Sequence, residues 1–262
     1  MNYTFCAQTD SGRVRTNNED AVAFDEVTRL CVLADGMGGY NAGEIASGMA
    51  TAFIKSELVR WLSEAGPQAN AGEVSRAIEI CVDNANRSIL NAAQANPAYA
   101  GMGTTLVVGV FQDALLMLGH IGDSRCYRWR GNKLVQITKD HSLLQEQLDA
   151  GFLTPEQAAL SPNKNLVTRA LGVENDVMLE LHAHQVEACD LYLMCSDGLS
   201  DMMDDAAIAR ILQNGTSLDQ MSEALVCQAN ENGGRDNITV LLIQAADTVV
   251  KRGLIARWLG NK

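Results

Sequence analysis

The sequence predicts an α+β domain with antiparallel sheet inside and helices outside. Three observations carry that expectation. The runs TTLVVGVF (104–111), ALLMLGHIG (114–122), RCYRWR (125–130) and KLVQIT (133–138) follow one another directly, and strands joined by such short turns pair antiparallel. Residues 42–65 and 71–95 carry instead the apolar spacing and the Ala, Glu and Arg content of two helices. No linker-like composition divides the chain, so residues 1–245 read as one domain.

The remaining elements follow in order. Tyr3 to Thr9, Ala21 to Asp25 and Leu30 to Ala34 are short strand-like runs ahead of the first helix. Within the four-strand succession, Gly131-Asn132 has the composition of a hairpin turn. Residues 139–172 break the pattern. They carry Pro155 and Pro162 around a short helix, Ser142 to Ala150, and are long enough to form a flap over a site. A strand at 190–196, helices near 204–213 and 217–232, and a last strand from Ile238 to Gln244 complete the domain. In the tail, 246–262, Val250, Leu254 and Trp258 recur every four residues beside Lys251, Arg252, Arg257 and Lys262. That is a basic amphipathic helix, expected to dock on the domain, with a membrane surface or a partner protein as the alternative contact.

Composition narrows the function. At 262 residues, 47% hydrophobic and 20% charged, the chain is globular rather than disordered or fibrous. Its net charge of -12, with 20 basic against 32 acidic residues, excludes a nucleic-acid partner that needs a basic face. The seven cysteines show no CxxC spacing and mostly occupy apolar runs, as reduced core residues do. With no signal-like start and no apolar run of bilayer length, a cytoplasmic protein is expected.

The chemistry shows where apolar runs end. Leu33-Ala34 runs into Asp35-Gly36, Ile121-Gly122 into Asp123-Ser124, and Cys195-Ser196 into Asp197-Gly198, while Asp236-Asn237 precedes ITVLLI. Carboxylates brought together at strand edges repel one another unless a cation joins them. All-oxygen donors suit magnesium or manganese rather than zinc. The EF-hand spacing is absent, as is the GK[ST] of a phosphate-binding loop after Gly38-Gly39. Ser196 lacks GxSxG and an identifiable acid and base, so a serine hydrolase is not expected. His182 and His184, without a third ligand nearby, read as solvated strand.

Eight motifs then stand in order: TDSGRVRTNNED (9–20), ADGMGG (34–39), GMGTTL (101–106), GDSRCY (122–127), KDHS (139–142), LVTRALG (166–172), SDGL (196–199) and RDNITV (235–240). This series resembles the metal-dependent protein phosphatase 2C family in its bacterial branch and covers nearly all of residues 1–245. The resemblance implies a four-layer α-β-β-α sandwich of two antiparallel sheets flanked by helices, with a metal centre at one edge. It also implies hydrolysis of phosphoserine and phosphothreonine in proteins by a hydroxide bridging two manganese or magnesium ions. By the family pattern Asp35 bridges the ions, the Gly36 carbonyl binds the second, and Asp197 and Asp236 complete the first. Asp20 and Glu19 act near the metals, largely through water, Asp123 with Asp197 holds a third, weaker ion, and Arg15 grips the substrate phosphate.

One departure concerns the proton. Eukaryotic relatives carry His after the DG, and this chain has Met37, which has no proton to give. Metal-bound water is the expected donor and His141 of the flap the alternative. Phosphorylated proteins, a bacterial Ser/Thr kinase or its substrates are the expected partners of a monomer. A phosphoprotein-binding regulator without turnover and a small-molecule phosphatase are the other function classes; neighbouring genes, for a kinase or a secretion apparatus, would indicate the pathway.

Overall fold

A computed structural model describes residues 1–39, 42–154, 157, 158 and 166–247. Pro155, Pro162 and the apolar stripe Val250, Leu254 and Trp258 of the tail lie outside the described residues.

The strands are β1 (Asn2–Asp10), β2 (Asp20–Asp25), β3 (Leu30–Met37), β4 (Gly103–Thr104), β5 (Leu106–Gln112), β6 (Leu115–Ile121), β7 (Arg125–Arg130), β8 (Lys133–Gln136), β9 (Glu180–Gln185), β10 (Leu191–Cys195) and β11 (Ile238–Ala246). The helices are α1 (Ala42–Ala65), α2 (Ala71–Ala95), α3 (Leu143–Asp149), the single turn α4 (Asp197–Ser200), α5 (Asp205–Asn214) and α6 (Leu218–Glu231). One sheet has the order β1-β11-β10-β7-β8 and the other β2-β3-β5-β6-β9, with β4 pairing β3. Every pairing is antiparallel.

Three apolar layers separate four layers of backbone. In β3, Leu30, Val32 and Ala34 face α1 and α2, while Cys31 and Leu33 face the other sheet. In β10, Tyr192 and Met194 meet that middle layer, and Leu191, Leu193 and Cys195 turn to α5 and α6. Both faces of each central strand are therefore covered, which is why these strands read as unbroken apolar runs instead of alternating ones. Gly109 lets the sheets approach, since a Cβ there would stand 2.8 Å from Cys31 Sγ and 2.9 Å from Met194 Cε.

Local signals set the helix ends. Asn70 and Glu73 close a capping box on α2, and the side chains of Ser142, Asp204 and Ser217 cap α3, α5 and α6. Gly131 and Asn132 both take positive φ, 55° and 62°, as a two-residue hairpin turn requires. The strand expected around His182 and His184 is β9, whose polar sequence ELHAHQ lies at the sheet's edge. One expectation needs correction. Of the seven cysteines, Cys31, Cys81, Cys126 and Cys195 are core residues, but Cys189 and Cys227 are exposed.

Candidate metal centre

The two sheets bring five aspartates to one edge. Asp20 lies directly opposite Asp35 in the β2–β3 pairing, Asp123 follows β6, Asp197 follows β10, and Asp236 precedes β11. Asp20, Asp35, Asp197 and Asp236 are half-buried, so water reaches the cleft. Desolvation is the first cause raising the Asp35 pKa well above the usual range, followed by the charges of Asp20, Asp197, Asp123 and Asp236. Asp197 is raised in the same way, by burial and then by Asp123, Asp201, Asp236 and Asp20. Asp20 and Asp123 are each pushed up to about 6, again chiefly by desolvation.

Neutral side chains and backbone aim these acids. Thr105 Oγ1 accepts the Asp35 N–H at 2.9 Å, while the Asp35 carbonyl takes Thr105 N–H at 2.8 Å and Thr104 Oγ1 at 2.8 Å. Ser196 Oγ donates to Asp20 Oδ2 at 2.7 Å. The serine that failed as a nucleophile thus orients a carboxylate. Asn237 accepts Glu19 N–H at 2.8 Å and donates to the carbonyls of Ser11 and Asn17 at 3.1 and 2.8 Å. The sequence assigned no role to Thr104, Thr105 or Asn237; all three stand inside the motifs quoted above, but only Asn237 adjoins one of the five aspartates.

Gly36 is required by packing. Its N–H bonds the Glu19 carbonyl at 3.0 Å, and a Cβ would stand 2.1 Å from the Gly43 carbonyl of α1. Met37 ends β3 opposite Gly103. Arg15, half exposed, lies across the cleft mouth with Nη2 2.7 Å from Asp236 Oδ2. Glu19 borders it, its pKa raised by burial first.

The centre fits hard divalent ions. Asp20 Oδ1 is buried with no hydrogen-bond partner among the described residues. An ionised oxygen in that position needs a counter-charge. Among the described residues the compact set of three ligand atoms, mutually within 4.8 Å, is His120, His141 and Glu180, not three of the aspartates. The aspartates thus stand open, which suits ions that retain several waters.

His141 is no surface residue. It is 6% exposed, Nδ1 accepts the Gly122 N–H at 3.2 Å, and Nε2 faces Glu180 Oε2 at 3.2 Å. His182 is solvated as expected, bonding Glu180 Oε1 at 3.0 Å, whereas His184 is half-buried.

The family model described as Protein phosphatase 2C matches residues 8–239. Protein phosphatase PhpP of Streptococcus pneumoniae is 40% identical over 239 residues, spanning 90% of this chain and 94% of its own. The crystal structure of the Mycobacterium tuberculosis serine/threonine phosphatase PstP/Ppp superposes with a TM-score of 0.86 at 37% identity, covering 94% of this chain and 100% of that one. A structure of the PstP catalytic domain in complex with two manganese ions gives a TM-score of 0.81 at 37% identity, covering 94% and 99%. Since the match runs from β1 into β11 and spans all five aspartates, this chain belongs to the protein phosphatase 2C family.

Proposed function

We propose that the chain removes phosphate from phosphoserine and phosphothreonine in proteins with two core divalent ions, manganese or magnesium, and a third, weaker one. Phosphatase activity follows from family membership; the assignment of roles rests on the group of five carboxylates at one sheet edge. Asp35, the Gly36 carbonyl, Asp197 and Asp236 hold the core ions, with Asp20 and Glu19 beside them. Asp123 and Asp197 hold the third. When bound, such ions lower the pKa of water and offset phosphate charge.

The chain's own groups do the rest. Arg15 already lies at the mouth on Asp236, and its planar fork meets phosphate oxygens in a bidentate way. Ser196 and Thr105 fix Asp20 and Asp35 before substrate arrives, so no reorganisation is needed at the moment of reaction. Met37 offers no proton, and both ring nitrogens of His141 face protein partners, so the leaving oxygen is protonated from solvent in the cleft.

Reversal of a Ser/Thr kinase by a monomer in a reducing, cytoplasmic setting accords with seven free thiols, and among the described residues no helix is long and apolar enough to cross a membrane. Hydrolysis of p-nitrophenyl phosphate and of a phosphothreonine peptide is expected to need added manganese or magnesium and to stop with chelator. Full activity after metal stripping, verified by elemental analysis, would overturn the reading.

A further inference from the structure

Two stacked histidines adjoin the centre. The His120 and His141 rings lie 4.7 Å apart between centroids and 16° from parallel. With Glu180 they form the compact ligand group noted above, but near-parallel rings direct their lone pairs into separate planes, which do not converge on one ion. Hydrogen bonds account for the arrangement better. His120 Nε2 bonds the Lys139 carbonyl at 2.8 Å, while His141 Nδ1 accepts the Gly122 N–H and His141 N–H donates to the Gly122 carbonyl at 2.9 Å. Each ring thus reaches across to the backbone beside the other.

Only one tautomer serves both the Gly122 and the Glu180 contacts of the His141 ring. Nδ1 must be bare to accept from Gly122, so Nε2 carries the hydrogen and gives it to Glu180. Burial lowers the pKa of both rings, which keeps them neutral. Gly122 itself is constrained, with φ of 98° and the Thr105 Cβ 2.8 Å from where its own Cβ would be. On its other side His141 anchors the flap base: Thr168 N–H donates to the His141 carbonyl at 2.8 Å and Leu143 N–H to the Leu166 carbonyl at 2.8 Å, while Arg169 Nη1, a donor like the protonated Nε2, stands 3.4 Å from it and adds no bond there.

We infer that His141, held by Glu180, is a positioning residue that locks the Gly122-Asp123 turn to the base of the flap and so aims Asp123. This extends the proposed function, because Asp123 matters to catalysis only if that reading of the centre is right; the lock itself is a property of the metal-free chain. His141 acts here as a hydrogen-bond acceptor, and its ability to donate a proton is not used.

The test separates acceptor from acid. His141→Asn offers Oδ1 close to the place of Nδ1 but cannot titrate, whereas His141→Ala offers nothing. Amide exchange at Gly122, measured by NMR on metal-free protein, is expected to quicken at least about tenfold in His141→Ala and to stay within about threefold of wild type in His141→Asn. With manganese, kcat is expected to drop at least about tenfold in His141→Ala at little-changed KM, and to be largely restored in His141→Asn. If His141→Ala does not fold, Glu180→Ala against Glu180→Gln gives the same contrast, Gln keeping the acceptor for Nε2–H. Unchanged Gly122 exchange in the alanine variant, or an asparagine variant as impaired as the alanine one, overturns the inference. Failure of the metal-dependent reading would show instead in the wild type, as activity without metal, and leaves the exchange result intact.

Discussion

Asn237 shows how much at this centre depends on a neutral side chain. It is 5% exposed and joins Glu19, Ser11 and Asn17 to the strand end that carries Asp236. Asn237→Ala removes three hydrogen bonds to the backbone of residues 11–19, so a loss of about 1–3 kcal/mol in urea unfolding is expected, with a raised KM as the loop bearing Arg15 loosens. Arg15→Ala is expected to separate differently. Because Arg15 pairs with Asp236, its removal frees a ligand oxygen; calorimetry should find metal affinity kept or tightened while KM for phosphopeptide rises about tenfold or more. Weaker metal binding in that variant would show that Arg15 supports the ions. The aspartates were legible in the sequence because a carboxylate ending an apolar run is conspicuous. Asn237, Ser196 and Thr105 were not, since a polar residue at a strand end is ordinary until its partner is known, and their partners stand 218, 176 and 70 residues away.

At the scale of elements, the meeting of β3 with the start of α1 decides whether the centre forms. Gly36 and Gly43 touch there: a Cβ on Gly36 would be 2.1 Å from the Gly43 carbonyl, and one on Gly43 would be 2.8 Å from the Gly36 carbonyl. The obstructing atoms are backbone and cannot rotate aside. Gly36→Ala is therefore expected to cost about 1–3 kcal/mol and to weaken metal binding, since α1 must move off the strand carrying Asp35; a thermal melt and a manganese titration unchanged from wild type would refute this. Helices α1, α2, α5 and α6 were readable from apolar spacing and composition, and β3, β5, β6, β10 and β11 from apolar runs. The edge strand β9 was legible only at its two histidines, because its polar residues make no apolar run and among the described residues one side of it has no neighbouring strand. The two-residue β4 and the single turn α4 were too short for any periodicity to register.

Over the whole molecule, the layers gather like charge and the cleft stores it. A carboxyl whose pKa rises on folding binds its proton more tightly folded than unfolded, so its penalty grows as pH rises from the unfolded value near 4 through the folded one. For Asp20 and Asp123 the folded value is about 6. Metal-free protein is thus expected to melt roughly 3 °C higher at pH 5.5 than at pH 7.5, and saturating manganese should reverse the order, because ions bind the deprotonated form. Scanning calorimetry that finds the metal-free order reversed would mean the carboxylates do not repel as described. The pairing of β1 with β11 has a different consequence. Nine residues of the first strand match nine of the last, from Asn2 with Ala246 to Asp10 with Ile238, and β11 also separates β1 from β10. On the ribosome, β1 waits without its partner until Asp236 and the strand behind it emerge more than two hundred residues later. A polypeptide interrupted before Asp236 carries four of the five aspartates and lacks the strand that joins β1 to β10, so translation must pass β11 before any phosphatase activity exists.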